Sequence, residues 1–470
     1  MDRRKFFKNG SLFTIGSALL NPFESVASTS DSISKNKKAK NIIFLVSDGM
    51  SIGTLTMTDV FLQRNSKKGS EWMVLYRKDK IKRALMNTAS ASSIVTDSAA
   101  ASSAWGSGFR VNNGSLNVGT NNENYLPIWQ KFKRKGKMVG CVTTAPITHA
   151  TPAGFCVNSA SRNSQEDIAL QYLGLNFDVM MGGGNKYFTA DKRKDKKEVY
   201  TDFSRKGYVV AKTKTEMLNA KKDKPILGVF DEDGLPYSID RINDKELETN
   251  TPSLAEMTQF AIERMKNNKE GFVLQVEGGK VDWAAHANDI SGLLYDQIAF
   301  DEAIKVAMDF AEKDTETLVI ITTDHGNANP GIVYGKNADI NFDNLQNYKQ
   351  TNNWVLNGIN PDSTVAFVRE RIEYASNTVV TEEEAKIILN YYSKLSKQED
   401  GLYNYKKLPF KTFADILTKY NSIGWNSMDH TGDLVELAMF GPGSEKLKPF
   451  VINTDLHYLM LEAAEIENKF

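Results

Sequence analysis

Short apolar runs rich in β-branched residues recur along the chain, and between them lie longer segments with helical spacing of apolar residues. The short runs predict strands buried on both faces, at Asn41–Val46, Met138–Thr143, Phe177–Met181, Phe272–Val276, Leu318–Thr322 and Leu434–Phe440. Helices are predicted near Asn163–Leu173, Pro252–Met265 and Ile290–Ala311. The alternation indicates an α/β fold, a three-layer sandwich around a central, mainly parallel sheet.

A stretch rich in Asn, Asp and Tyr, residues 330–425, interrupts this alternation. Part of it predicts a helix, because Thr381 and Glu384 form a capping box before an apolar run. We interpret 330–425 as a cap-like insertion within a domain that spans 41–470. A second independent domain is the alternative that the size of the stretch leaves open.

The N-terminus combines a basic start with a short apolar segment. Arg3 and Arg4 precede the apolar stretch Ser11 to Leu20, and small residues follow around Ala27. This pattern predicts a twin-arginine signal peptide over residues 1–27, with 28–40 as a linker, and therefore a periplasmic or secreted protein. A basic disordered tail is the alternative. The apolar stretch is shorter than the ~20 residues that a membrane span needs, so no stable membrane anchor is expected.

Composition narrows the function further. The chain of 470 residues carries 58 basic and 58 acidic side chains, a balance that argues against a nucleic-acid partner. Its only two cysteines, Cys141 and Cys156, exclude a disulfide scaffold and a thiolate zinc site. Two buried thiols and one disulfide are equally compatible with their positions.

Polar residues able to bind ions follow almost every predicted strand. Ligands collect at the carboxyl ends of strands in open α/β sheets, so we expect these side chains to converge. They are Asp48 after the first strand, Asp97 and Ser98 after a short strand predicted at Ser93–Thr96, His149 and Thr151 after Met138–Thr143, Glu277 after Phe272–Val276, and Asp324 and His325 after Leu318–Thr322.

The histidines strengthen this expectation. Asp282 and His286 are four residues apart and would share one helix face, although a solvated pair is the ordinary reading of such spacing. His430 precedes another strand, and His457 lies in a C-terminal helical pattern where a surface position is expected. Imidazoles with carboxylates suit a catalytic zinc ion, and a threonine hydroxyl with carboxylates suits magnesium.

Ser98 begins a predicted helix of small residues, where backbone N–H groups favour a phosphate group. A serine beside a metal ion can ionise and attack, although a plain capping serine is the alternative.

Taken in order, these motifs resemble the alkaline phosphatases that use a serine nucleophile. The similarity runs from about Asn41 to Gly443 outside the insertion. Its motifs are Asp48 in Ser-Asp-Gly-Met, Thr96-Asp97-Ser98-Ala99-Ala100, Thr148-His149-Ala150-Thr151-Pro152, Val276-Glu277-Gly278-Gly279, Asp282 with His286, Thr323-Asp324-His325 and His430-Thr431-Gly432.

The resemblance implies hydrolysis of small phosphate monoesters through a phosphoserine at Ser98, with two zinc ions and one magnesium ion. Arg162 would bind the phosphate and Asp97 would steady Arg162. The implied ligands are Asp48, Asp324 and His325 for the zinc beside Ser98, Asp282, His286 and His430 for the second zinc, and Asp48, Thr151 and Glu277 for magnesium. Members of this family are often dimers, so a homodimer is expected by analogy.

Three residues depart from the pattern of many relatives. His149 near the magnesium group and Trp283 near the phosphate stand where an acid and a basic residue are common. Asn327 stands where a histidine would orient Asp282. Altered metal affinity is therefore expected. A related phosphodiesterase and, in a different class, a non-catalytic periplasmic binder of metal or phosphate are the alternative functions.

Overall fold

The computed structural model describes residues 38–398 and 403–468, which lie within one compact unit, Asn36–Phe470. The predicted signal peptide, 1–27, and most of the predicted linker lie outside the described residues. Within the described part of the chain, no helix is both long and apolar enough to cross a membrane.

The described residues form 14 strands. In chain order they are β1 (Asn41–Ser47), β2 (Lys82–Asn87), β3 (Met138–Pro146), β4 (Val179–Gly183), β5 (Val209–Ala211), β6 (Ile226–Val229), β7 (Phe272–Gly278), β8 (Thr317–Thr322), β9 (Gly326–Asn327), β10 (Gly331–Ile332), β11 (Ile423–Gly424), β12 (His430–Thr431), β13 (Val435–Phe440) and β14 (Phe450–Ile452).

Ten of these strands build one central sheet in the order β14-β2-β13-β8-β1-β7-β3-β4-β6-β5. Every pairing is parallel except those of β13, which runs antiparallel to β2 and β8. The mixed α/β fold with a mostly parallel sheet was predicted. Two small antiparallel pairs, β9 with β12 and β10 with β11, lie outside the sheet.

The described residues contain 19 α-helices, most of which cover the two faces of the sheet. They are α1 (Ile52–Ser66), α2 (Glu71–Arg77), α3 (Ser98–Ser107), α4 (Ile128–Arg134), α5 (Ala150–Gly154), α6 (Gln165–Leu175), α7 (Val199–Arg205), α8 (Lys214–Leu218), α9 (Ser238–Ile242), α10 (Lys245–Asn250), α11 (Leu254–Met265), α12 (Lys280–His286), α13 (Ile290–Asp314), α14 (Ala338–Asp343), α15 (Asn352–Asn357), α16 (Val365–Ser376), α17 (Glu382–Tyr392), α18 (Phe410–Asn421) and α19 (Asp455–Ala463).

Alternation along the central strands divides the core into two layers. In β1, Ile43 and Leu45 join a cluster that includes residues of α11 and α13. Phe44 and Val46 point the other way, into a cluster with residues of α3 and α19. Because successive side chains of a strand point to opposite faces, one buried strand contributes to both layers. The result is a helix–sheet–helix sandwich.

One predicted strand is wrong. Residues Ser93–Thr96 form a loop that leads into α3. The Ser90 hydroxyl accepts from the Ser93 amide at 3.0 Å, and the Ser93 hydroxyl accepts from the Val95 amide at 3.1 Å. Serine side chains thus satisfy backbone groups that a strand would have paired with a neighbour.

Most of the described residues within 330–425 are helical, and they carry a hydrophobic cluster distinct from the two core layers. Buried residues of α15 to α18 pack in this cluster, among them Leu356, Ile372, Ile388 and Phe413. The predicted capping box is present, with Thr381 and Glu384 each bonded to the other's backbone amide. Its assignment as an insertion stays a prediction.

Two further expectations concern buried groups. Cys141 and Cys156 are both free and buried, and burial raises the pKa of each thiol. His457 was expected on the surface and is instead fully buried. Its Nδ1 faces the Trp105 carbonyl at 3.0 Å and its Nε2 faces Lys131 Nζ at 3.0 Å. The predicted helix is present as α19, but the prediction that His457 lies on its exposed face is wrong, because that face packs against α3.

Candidate active site

The loop after β1 carries Asp48 to the carboxyl edge of the sheet, between neighbours β7 and β8. The next residue, Gly49, has φ +67°, and a Cβ there would lie 2.5 Å from Asp282 Oδ1. Only glycine fits this left-handed and crowded position. The Gly49 amide also donates to Asp324 Oδ1 at 2.9 Å, so one turn brings three acidic residues together.

Ser98 is the first residue of α3 and is buried. Asp97 caps the helix by accepting from the Ala100 amide at 3.0 Å. The Ser98 hydroxyl lies 3.5 Å from Asp48 Oδ1 and 3.3 Å from His325 Nε2. The hydroxyl therefore sits at the helix N-terminus among the predicted metal ligands, although a loop and not a strand leads directly into this helix.

Three histidines that are candidate metal ligands are each oriented by a contact between Nδ1 and the protein backbone. In each, Nδ1 faces a backbone carbonyl that can only accept a hydrogen bond. A neutral imidazole that donates from Nδ1 keeps the lone pair of Nε2 free for a metal ion. The pairs are His286 with Met428 O at 2.6 Å, His430 with Thr96 O at 2.9 Å and His325 with Gly326 O at 3.3 Å.

His286, His430 and Asp282 form the first candidate metal group. Asp282 lies 3.4 Å from His286 Nε2 and 3.5 Å from His430 Nε2. The two Nε2 atoms are themselves 3.1 Å apart. Both rings place Nδ1 against a carbonyl, so in two neutral rings the protons lie on Nδ1. The lone pairs of the two Nε2 atoms would then face and repel each other. A cation between them removes the conflict, so the donor set fits a zinc ion.

The second candidate group surrounds Ser98. It contains Asp48, Asp282 and His325, and Asp324 Oδ2 lies 3.3 Å from His325 Nε2. Asp324 Oδ2 is buried without a hydrogen-bond partner. A buried carboxylate oxygen without a partner is costly unless an ion binds it. The His325 ring also stacks on His430, with centroids 3.7 Å apart.

Asp48, Glu277 and His149 form the third group, and the Thr151 hydroxyl donates to Asp48 Oδ2 at 3.4 Å. Glu277 is buried, accepts from the Thr143 hydroxyl, and keeps its Oε1 without a partner. Burial, opposed by the Thr143 bond and reinforced by Asp324, raises the pKa of Glu277 to about 7. Oxygen donors in this number suit magnesium.

Crowded acids also affect Asp48, which the second and third groups share. Burial first, and then the charges of Asp324, Asp282 and Glu277, raise the pKa of Asp48 well above its usual value. Bound cations would compensate this concentration of negative charge.

Arg162 contacts two residues of the site, Asp97 and His149. Its Nη1 donates to Asp97 Oδ2 at 2.9 Å and its Nη2 donates to His149 Nε2 at 3.0 Å. Because Arg162 only donates, His149 accepts at Nε2 and carries its proton at Nδ1 in this arrangement. Burial and the charge of Arg162 lower the pKa of His149 to about 3, so the ring stays neutral.

Trp283, on α12, borders this cluster. Its ring centroid lies 6.2 Å from that of His149, in an edge-to-face arrangement. The structure therefore brings together every site residue predicted from the sequence: Asp48, Asp97, Ser98, His149, Thr151, Arg162, Glu277, Asp282, Trp283, His286, Asp324, His325 and His430.

The sequence analysis missed that Asn327 orients Asp282. The orienting contact to Asp282 was expected to be lost there, yet the Asn327 carboxamide donates to Asp282 Oδ1 at 2.7 Å. Its position two residues after His325 was the signal available, but only the fold shows that a shorter side chain still reaches.

Comparison with known proteins agrees with this geometry. The family model described as alkaline phosphatase matches residues 39–466. Alkaline phosphatase 4 of Bacillus subtilis is 37% identical over 77% of this chain and 75% of its own. Alkaline phosphatase 3 of the same organism is 31% identical over 92% and 90%. The crystal structure of Thermus thermophilus alkaline phosphatase superimposes with a TM-score of 0.85 at 30% identity, covering 96% of this chain and 97% of that one.

Proposed function

Since this chain belongs to the alkaline phosphatase family and is a phosphomonoester hydrolase, we propose that it acts through a covalent phosphoserine at Ser98. The observation that supports this is the position of the Ser98 hydroxyl, 3.3 Å from His325 Nε2 and 3.5 Å from Asp48 Oδ1. A capping serine with no chemical task would not need to face two buried acceptors.

The chain's own groups act in two displacements. Ser98 Oγ loses its proton and attacks phosphorus, so that its bond to phosphorus forms, the bond to the departing oxygen breaks, and that oxygen takes up a proton to leave as the alcohol. Water then attacks the phosphoserine from the opposite direction, releasing inorganic phosphate and the serine hydroxyl. Arg162 binds two non-bridging oxygens through its planar guanidinium, and Asp97 holds that guanidinium. Two inversions give net retention at phosphorus.

We assign two zinc ions and one magnesium ion to the three groups. Asp282, His286 and His430 would hold one zinc, and Asp48, Asp324 and His325 the other. Asp48, Thr151 and Glu277 would hold magnesium, with His149 beside them. When bound, the ions stabilise charge on the entering and departing oxygens and lower the pKa of the serine hydroxyl and of water.

The proposal includes the cellular location of the protein and its oligomeric state. Export through a twin-arginine signal at 1–27, to the periplasm or beyond, would deliver a folded enzyme with its ions bound. A homodimer and an insertion at 330–425 belong to the same proposal, on the family resemblance and on the separate hydrophobic cluster of the helical region.

The decisive experiment is Ser98→Ala, combined with metal analysis and acid trapping of the phosphoenzyme from labelled substrate. We expect turnover to fall at least about 10³-fold and the trapped label to disappear, while the metal content stays that of the wild type. Ser102→Ala, on the same helix face one turn later, is the matched control. Retained labelling in Ser98→Ala would refute the phosphoserine.

Comparison of an aryl phosphate monoester with the corresponding diester separates the proposal from a phosphodiesterase. We expect faster hydrolysis of the monoester, because Arg162 can engage two charged oxygens that a diester cannot both supply. A faster rate for the diester would favour the alternative.

A further inference from the structure

Tyr405 connects the helical region 338–421 with the helix that carries two candidate metal ligands. Its hydroxyl donates to the Trp283 carbonyl on α12 at 3.1 Å. Its ring packs on Phe410, with centroids 4.6 Å apart. Trp283 directly follows Asp282 in sequence, so this contact places an aromatic ring of the helical region next to the first metal group.

The Trp283 ring itself is fixed in place. Lys280 Nζ lies 4.3 Å from the ring centroid and 3.9 Å from that of Tyr237. Gly234 also packs against the indole, so closely that a Cβ there would lie 2.9 Å from it. A cation over the aromatic ring and a glycine packed against its six-membered ring restrict the orientation of the side chain. Trp283 is thus a preformed surface rather than a mobile side chain.

The site is open on this side and closed on the other. The side chain of His325, in the group around Ser98, is fully buried, whereas those of His286 and His430 are 33% and 18% exposed. Tyr405 keeps 39% of its surface exposed although its hydroxyl is bonded. The alcohol of a substrate whose phosphorus faces Ser98 would therefore leave on this open side, by His286 and His430, where the Tyr405 hydroxyl bonds the Trp283 carbonyl on the helix that carries Asp282 and His286.

We propose that Tyr405 and Trp283 form the aromatic wall of the leaving-group site and favour phosphate monoesters of aromatic alcohols. Ring–ring contacts contribute modestly, so the preference is about 2- to 10-fold rather than absolute. Tyr405 is a specificity residue here, and it takes no part in the bond changes at phosphorus. This inference rests on the proposed orientation of the substrate, with its leaving group at the Asp282–His286–His430 group.

Non-hydrolysable phosphonates test the wall because they bind at the site but are not themselves turned over. Inhibition constants of benzylphosphonate and methylphosphonate would be measured on the metal-loaded full chain, for the wild type, Tyr405→Ala and Tyr405→Phe. We expect Tyr405→Ala to weaken benzylphosphonate about 2- to 10-fold and to leave methylphosphonate unchanged. Tyr405→Phe keeps the ring and should behave like the wild type.

Tyr334→Ala is the matched control, because Tyr334 is a fully exposed tyrosine in the same stretch 330–425. Equal weakening of both phosphonates, or loss of metal, would overturn the inference and make Tyr405 a support for α12. Loss of selectivity in Tyr405→Phe would also overturn it, because the hydroxyl and not the ring would then be responsible. Failure of the phosphoserine mechanism would appear separately, in the Ser98→Ala labelling, and would leave these binding ratios readable.

Discussion

Asn327 donates a hydrogen bond from Nδ2 to Asp282 Oδ1 at 2.7 Å, and thereby joins three separate segments of the site. The backbone of Asn327 is held by Ser51. The Asn327 N–H donates to the Ser51 hydroxyl at 3.0 Å, and that hydroxyl donates to the Asn327 carbonyl at 2.9 Å. In the β9–β12 pair, Asn327 lies opposite His430. One carboxamide thus fixes Asp282 while its backbone fixes His430.

Asn327→Ala should weaken zinc binding at the Asp282–His286–His430 group about 10- to 100-fold, because the Asp282 carboxylate loses the donor that orients it. Asn327→Asp should be more severe, since a second carboxylate would repel Asp282 at hydrogen-bond distance. Zinc titration of chelator-treated protein measures both effects. Asn327→His supplies a ring N–H donor and should restore part of the affinity.

Asn337→Ala serves as the control for this series, because Asn337 is exposed and lies outside the candidate site. If Asn327→Ala bound zinc as tightly as the wild type, the contact would be incidental to metal binding. Melting temperature of the metal-free proteins, measured in parallel, separates lost affinity from lost folding.

Arg162 should contribute to phosphate binding, and Asp97 should contribute through Arg162. Arg162→Ala is expected to raise the inhibition constant of inorganic phosphate about 10- to 100-fold, since a charge-assisted bidentate contact is lost. Arg162→Lys should recover only part of this, because an ammonium group cannot form the planar fork. Steady-state inhibition assays provide the measurement.

Asp97→Asn should show a smaller effect of the same kind. Burial opposes ionisation of Asp97, but the charge of Arg162 and bonds from the Ala100 and Gly114 amides outweigh it and lower the pKa. Asp97 therefore stays ionised and keeps Arg162 in place throughout the neutral and alkaline range. A larger loss in Asp97→Asn than in Arg162→Ala, with metal content intact, would contradict this order of roles.

His457 should make the protein less stable in mild acid. Burial, followed by the charge of Lys131, lowers the pKa of His457 to about 4, against about 6.5 in the unfolded chain. Between pH 4 and 6.5 the unfolded chain binds a proton at His457 that the folded protein does not bind. The contribution of His457 to the free energy of unfolding therefore falls as the pH drops from 6.5 towards 4, and it is constant above pH 6.5.

His457→Gln removes the titration and keeps an amide that can face Lys131 and the Trp105 carbonyl. Between pH 6.5 and 4, the melting temperature of the wild type should fall about 2–4 °C more than that of the variant. Differential scanning fluorimetry across this range measures the difference. Parallel curves for the two proteins would show that His457 carries no such penalty. Protonation of the candidate ligand histidines affects both proteins alike and cancels in the comparison.

The sequence by itself determined the α/β class, the long central strands and the chemistry of the site. Runs such as Leu318–Ile321 are apolar throughout, which only burial on both faces explains. The candidate ligands were found because parallel strands end at one edge, so acids such as Asp48 and Glu277 that follow different strands must meet. Both predictions rest on the order of residues within short segments, and that order is the same whatever the tertiary structure.

Tertiary structure decided the contacts that depend on distant packing. Lys82–Asn87 is a strand although its sequence reads as charged and irregular, because β13 and β14 pair with it. The buried position of His457, the reach of Asn327 to Asp282 and the contact of Tyr405 with Trp283 each join residues whose separation along the chain carries no periodic signal. Such pairs form only when the whole fold brings their segments together, so no local pattern could have revealed them.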